Sequence, residues 1–261
     1  MKTGFGSEML KVGGIKMTSD GAIAARTAWL SQPYIGSDHD CGIQAMSQEE
    51  LDDQVIQMHN AGSQVAVHAN GDSAISMVLN SYEKALELNP LKDTRHRIEH
   101  CTLVNPEILT RMAKNDVQAT PFCTYVFYHG EKMQFYGEER LEWMFAQKSF
   151  IEYGVNSTGA TDYPPGPYPP LMGIQSCITR TDSNGKLWGP SQKINIQEAL
   201  KIYTLNGARA AFEENIKGSI SLNKLADFVV LDQDITKVDP FEIKDIKIVQ
   251  TVIGGKTVHE G

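Results

Sequence analysis

The sequence predicts an α/β protein: a (β/α) barrel that lacks its opening strands, followed by a small β-rich portion. Three observations predict it. Short apolar runs alternate with amphipathic stretches from Gly14 to Gly159, the cadence of parallel βαβ units. The runs recur about every 36 residues, close to the roughly 30 or more that one unit needs, so the chain has no room for eight of them. After Phe212 the pattern changes to short strands joined by polar turns.

Gly14-Ile15-Lys16-Met17 is the first strand candidate. Gln48 to Ala61 places Leu51, Val55, Met58 and His59 near one helical face, and Gln64 to His68 reads as a buried strand. Ser73 to Leu88 is a helix, His96 to His100 a strand, and Pro106 to Lys114 a helix with proline in its first turn. Val117 to Thr120 is a strand, Glu138 to Tyr153 a helix, and Val155 to Gly159 a strand running into Ala160-Thr161-Asp162. Proline-rich Pro164 to Pro170 predicts a surface loop, because proline removes backbone donors. Gln197 to Phe212 is a helix; Gly218 to Ile220 and Phe228 to Leu231 are short strands, and Val249 to Val258 is a hairpin turning at Gly254-Gly255.

Composition narrows the function. Twenty-four Lys plus Arg against 32 Asp plus Glu give a net charge of −8, the wrong sign for binding nucleic acid. The four cysteines are widely spaced, with no C-x-x-C pair, and read as reduced thiols. No apolar run approaches the length of a membrane span and no signal-peptide core opens the chain, so a soluble, cytoplasmic protein is expected. Gly4-x-Gly6 and Gly13-Gly14 lack the spacing of a dinucleotide site.

His68, His100 and Asp162 each fall at the C-terminal end of an expected parallel strand, the edge at which α/β architectures build active sites. Two imidazoles and a carboxylate suit Zn²⁺ or a related divalent ion with room left for water. Asp162 is then placed both to bind the ion and to accept the proton of an attacking water. The same residues also admit a plainer reading, as hydrogen-bonded strand ends and a loop cap before Tyr163-Pro164. Tyr125, Phe127, Tyr128 and His129 suit either the apolar wall of a substrate pocket or a loop cluster over the core.

The series Lys16-x-x-x-Asp20-Gly21, Val65 to Asp72 (VAVHANGD), Arg95 to His100 (RHRIEH) and Gly159-Ala160-Thr161-Asp162 resembles the amidohydrolase superfamily. Within it the likeness is to the amidohydrolase-3, or YtcJ-like, branch that includes N-substituted formamide deformylases. Gly218-Ser219-Ile220 and Leu225 to Asp232 resemble that branch's return into a β-sandwich. The resemblance implies a metal-dependent hydrolase of C–N bonds other than peptide bonds, with a (β/α)₈ TIM-type barrel. Residues 1–212 would be a partial barrel, strands four to eight of the family pattern, and 213–261 the C-terminal β-sandwich portion. It implies metal ligands at Lys16, His68, His100 and Asp162, one or two divalent ions, most simply Zn²⁺, and carboxylation of Lys16. Asp72 and His96 would orient the ligands by hydrogen bonds.

The family's His-x-His pair has no counterpart, since no two of the seven histidines are separated by one residue. Strands one to three of the pattern are absent too, and the chain reads as the C-terminal part of a longer form. An unpaired edge on the first strand then favours a homo-oligomer. Three functions follow: hydrolysis of a small-molecule amide by a metal-activated water, with Asp162 carrying the proton; hydrolysis of an ester or lactone by the same site; or an inactive fragment serving as an oligomeric scaffold.

Overall fold

Apolar β-branched runs flanked by capped helices build a parallel sheet in the computed structural model, which describes residues 2–164 and 166–261. Strands β1 (Ile15–Thr18), β2 (Val65–Ala69), β3 (Arg97–His100) and β4 (Gln118–Thr120) pair in that order, all parallel. The crossovers contain α1 (Gln48–Asn60), α2 (Asp72–Leu88) and α3 (Pro106–Lys114). Ser47 and Glu50 form a reciprocal capping box at the start of α1. The Asn105 side chain accepts from Ile108 N at 2.9 Å, which fixes the start of α3 beside Pro106.

Register sorts the side chains by face. Lys16, Ala66, Arg97 and Gln118 form one row and Thr18, His68, Glu99 and Thr120 the next, while Met17, Val67, Ile98 and Ala119 point the other way. The second set packs with Leu51 and Val55 of α1, Ile75 and Leu79 of α2, and Ile108 and Met112 of α3. Full burial of each large aliphatic side chain there contributes about 1.5–3 kcal/mol. The first set leaves a polar face, on which Arg97 pairs with Glu99 at 2.8 Å.

Val155 to Gly159, expected as a fifth strand, contributes one parallel bridge, Ser157 to Ala119. Among the described residues the sheet therefore stays open, and β1 has one neighbour. Helix α4 (Thr124–His129) occupies the aromatic run that the sequence left between two readings. The single helix expected over Glu138 to Tyr153 is two, α5 (Glu138–Leu141) and α6 (Gln147–Glu152). Between them Phe145 turns left-handed at φ 49°, and its N–H bonds to Thr102 O at 2.9 Å instead of continuing a helical ladder.

Helix α7 (Pro170–Thr179) starts on the last proline of the predicted loop, where a missing N–H costs nothing; Pro165 lies outside the described residues. The helix expected over Gln197 to Phe212 divides at Thr204 into α8 (Ile196–Tyr203) and α9 (Leu205–Ala210). Tyr203 packs where only glycine fits: a Cβ on Gly159 would stand 2.4 Å from its ring, and one on Gly173 1.8 Å from its hydroxyl. This contact seats α8 against the segment that leads to Asp162. Gly218 to Ile220 is a bend, not a strand, because Gly218 takes φ 88°. A separate antiparallel sheet of β5 (Phe228–Leu231), β6 (Ile248–Ile253) and β7 (Lys256–Glu260) follows, its hairpin closed by Gly254 and Gly255 at φ 56° and 77°. Among the described residues no helix is long and apolar enough to cross a membrane.

Candidate functional site

The C-terminal ends of β2 and β3 and the segment ending at Asp162 converge on one cavity of about 200 Å³. His68, His100 and Asp162 all line it, together with Tyr125, Tyr128 and His129 from α4. Phe122 and Ile23 complete a mostly apolar wall. The two imidazoles meet edge to face with ring centroids 4.5 Å apart, and His100 packs in the same way on Phe122 at 5.0 Å. His100 pairs in register with Ala69 on the helix-facing side, yet it reaches the cavity. Its left-handed φ of 69°, followed by 45° at Cys101, takes the chain out of the pleat there.

The electrostatics differ at each position. Burial, with the charges of His68 and Lys16, pushes His100 down to about 3, so its ring is neutral at physiological pH. His68 is raised: burial opposes its charge, but the Asp20 carboxylate and the Gly21 carbonyl together outweigh that. Burial raises the Asp162 carboxyl, with Lys16 and His68 pulling the other way. A raised carboxyl is a better proton acceptor. Neither the His100 ring nor the Asp162 carboxylate has a hydrogen-bond partner among the described residues.

Other expected site residues lie apart. Lys16 stands exposed on the polar face of β1 and does not line the cavity, although its charge is felt by His68, His100 and Asp162. Asp72 opens α2, where it accepts from Ser31 N at 2.9 Å and from the Ser31 hydroxyl, in a different groove. His96 precedes β3 and so lies at the far end of that strand from His100. It is buried in a relay in which His96 Nδ1 accepts from Val65 N at 3.0 Å, and His96 Nε2 and His59 Nδ1 are 2.9 Å apart. The structure therefore gives Asp72 and His96 no contact with the metal-competent side chains; Asp72 is committed to Ser31 of the loop after β1, and His96 to Val65 of β2 and His59 of α1.

Asp20 and Asn70, not Asp72 and His96, lie against His68. The Asp20 side chain is fully buried; Oδ1 accepts from Asn70 N at 3.0 Å and Oδ2 from Trp29 N and Gly71 N, both at 2.9 Å. It also approaches His68 Nε2 at 3.3 Å. Asn70 donates to Gly21 O at 2.9 Å and accepts from the Thr102 hydroxyl at 2.7 Å. Loops after β1, β2 and β3 are thereby tied together. Gly71 is needed because a Cβ there would stand 1.8 Å from Trp29 O. Asp20-Gly21 reads in the sequence as an ordinary turn signal and Asn70 stands in the family motif with no role of its own, since nothing local marks a turn aspartate as buried.

Among the described residues no group of three His, Cys, Asp or Glu side chains is arranged to hold a metal ion unaided. What converges is a partial donor set, two nitrogens and one carboxylate, beside an apolar pocket.

The architecture and the site motifs have relatives. The chain is 33% identical over 261 residues to the putative amidohydrolase YtcJ of Bacillus subtilis (strain 168), covering 96% of this chain and 48% of that protein. It is 27% identical over 256 residues to the N-substituted formamide deformylase of Arthrobacter pascens, covering 97% and 47%. Its fold superposes on an uncharacterized metal-dependent hydrolase from Pyrococcus horikoshii OT3 with a TM-score of 0.81 at 27% identity, covering 92% of this chain and 48% of that one. The chain thus spans about half the length of the relatives it matches. The model of the amidohydrolase family (Amidohydro_3) matches residues 1–259, from ahead of β1 through the closing hairpin, and this chain belongs to that family.

Proposed function

We propose that this chain hydrolyses a C–N bond of a small non-peptide amide with the help of a divalent metal, most simply Zn²⁺. The observation that carries the reading is the meeting of His68, His100 and Asp162 on one apolar-walled cavity at the C-terminal edge of a parallel sheet. Their chemistry suits the ion: a neutral, unpartnered imidazole at His100, a second imidazole 4.5 Å from it, and an unpaired carboxylate. These three would contribute donors to it, and because they are not arranged to hold an ion unaided among the described residues, further groups, from water or a neighbouring chain, would have to complete the site. Lys16, if carboxylated, would add an oxygen ligand from the polar face of β1. When bound, such an ion would supply Lewis-acid chemistry, lowering the pKa of water and polarising a substrate carbonyl.

The chain's own residues do the rest. Asp162 takes the proton of the attacking water and returns it to the departing amine, so that the amine leaves neutral. Phe122, Tyr125 and Tyr128 shelter the reacting carbonyl from bulk water and receive the apolar substituent of the amide. His129, in contact with Tyr125 at 5.2 Å, fixes the far wall. The same arrangement accepts an ester or lactone carbonyl, and a substrate panel separates the two.

The test is metal content after dialysis without chelator, followed by assay on N-substituted formamides and matching esters. One or two equivalents of zinc, with amide turnover lost to chelator and restored by the ion, is the expected result. A metal-free chain that stays inactive when zinc is added overturns the proposal and leaves the scaffold reading.

The proposal extends to a homo-oligomer in the cytoplasm, where the four free cysteines remain reduced. Strand β1 offers an edge without a neighbour among the described residues, and Phe5, Met9 and Leu10 in the preceding hairpin are 63%, 86% and 79% exposed. Unpaired backbone and apolar surface favour association. Sedimentation should give a dimer or larger species; a monodisperse monomer at micromolar concentration refutes it.

A further inference from the structure

We propose that Asp20 is a positioning residue: with the Gly21 carbonyl it fixes the ring of His68 in the tautomer protonated on Nε2, so that Nδ1 offers its lone pair. The inference rests on the reading of His68 as a metal ligand for its purpose, but not for its geometry.

Three groups surround His68 Nε2. Gly21 O is at 3.0 Å, Asp20 Oδ1 at 3.3 Å and Asn70 Nδ2 at 3.1 Å. The first two can only accept, so each requires a hydrogen on Nε2; the third can only donate and would require a bare nitrogen. The Asn70 amide cannot turn to resolve the conflict, because its oxygen is already taken by the Thr102 hydroxyl at 2.7 Å and its nitrogen donates to Gly21 O at 2.9 Å. One Asn70 hydrogen goes to Gly21 O and the other faces solvent or Nε2, but two acceptors, one of them a carboxylate, against a single neutral donor favour the hydrogen on Nε2. Nδ1 of the neutral ring is then the free donor atom.

Asp20 can do this because it cannot move. Its side chain is fully buried, and three backbone N–H groups from two loops hold its two oxygens. A carboxylate is the only side chain of this size that accepts on both oxygens. Asparagine at this position must aim an amide N–H₂ either at Trp29 N and Gly71 N or at Asn70 N and His68 Nε2, and each arrangement sets donor against donor. A carboxylate or carbonyl on the non-ligating nitrogen is the usual way in which a metal-binding histidine is oriented.

The experiment is long-range ¹H–¹⁵N NMR of the imidazoles in the metal-free full chain at alkaline pH, with His68 assigned by its absence in His68→Gln, together with Zn²⁺ titration. The wild type should show His68 protonated on Nε2. Asp20→Asn should shift His68 to a mixture of tautomers and weaken Zn²⁺ binding by about 10–100-fold. Nδ1 protonation in the wild type overturns the assignment, as does a folded Asp20→Asn protein with unchanged tautomer and affinity. If that variant does not fold, the wild-type tautomer decides alone. An Nε2-protonated His68 in a protein that binds no Zn²⁺ upholds the positioning geometry and overturns the metal-dependent function.

Discussion

On the proposed function, Asp162→Asn should lower the metal-dependent rate of amide hydrolysis by about 10²–10⁴-fold, the usual worth of a positioned acid–base group. Its fold should be unaffected. Asp162 is an exposed residue with its carboxyl only partly shielded from water, and that carboxylate has no hydrogen-bond or ion-pair partner among the described residues, so the change should move stability by no more than about 0.5 kcal/mol. Its φ of 54° is tolerated by asparagine as readily as by aspartate. An amide cannot take a proton from water, and it is a poorer metal ligand. His100→Ala should be as damaging by a different route, through loss of a neutral nitrogen donor in a ring held near a pKa of about 3. The measurements are initial rates at saturating zinc and thermal unfolding of the same samples. Full activity in Asp162→Asn, at unchanged melting temperature, sinks the assignment of that residue.

The elements legible in the sequence are those with a local stop or start signal as well as an apolar period. Pro106 and Gly254-Gly255 mark boundaries that the structure keeps within a residue or two, and Ser47 with Glu50 and Asn105 supply the caps there. The misread elements are decided by distant contacts. Phe145 breaks a helical pattern because its N–H reaches Thr102 O, and Thr204 breaks another beside Tyr203, whose ring fills the space left by two glycines. Val155 to Gly159 has the composition of a strand but finds one bridge partner at Ala119.

The convergence of His68, His100 and Asp162 on one cavity was legible for a geometric reason: residues at the same end of neighbouring parallel strands must come together. The same geometry separates His96 from His100, since a four-residue strand spans about 13 Å. Asp20 and Asn70 were not legible as partners of the site. Their importance lies in being buried where three loops meet, and each loop alone looks like a turn.

Acid should destabilise the chain well above the range in which its carboxylates titrate, and His96 is, with His100, one of two largely buried rings responsible. Its Nδ1 accepts from Val65 N, so its one hydrogen sits on Nε2 and points at His59 Nδ1 at 2.9 Å. His59 must then carry its hydrogen on Nε2, which donates to Asn89 O at 2.7 Å. Every donor and acceptor in the relay is used, and a second proton on His96 would face the Val65 N–H. Burial, with the charge of His59, accordingly holds His96 down to about 3. In the unfolded chain the same ring titrates near 6.5. Between about pH 6.5 and about pH 3 the unfolded state therefore binds the extra proton and the folded state does not, so stability falls as pH falls. The share lost through His96 alone is about 1.4 kcal/mol per pH unit below 6.5, or about 2 kcal/mol at pH 5. Urea unfolding of chelator-treated protein from pH 7 to pH 4 measures it, and His96→Phe supplies the comparison. That variant should be less stable at pH 7 by about 2–3 kcal/mol, because Val65 N and His59 Nδ1 lose their partner. It should also show a shallower decline with acid, since one of the rings responsible for the slope is gone. Parallel pH curves for the two proteins would show that the relay does not set the acid sensitivity of the fold.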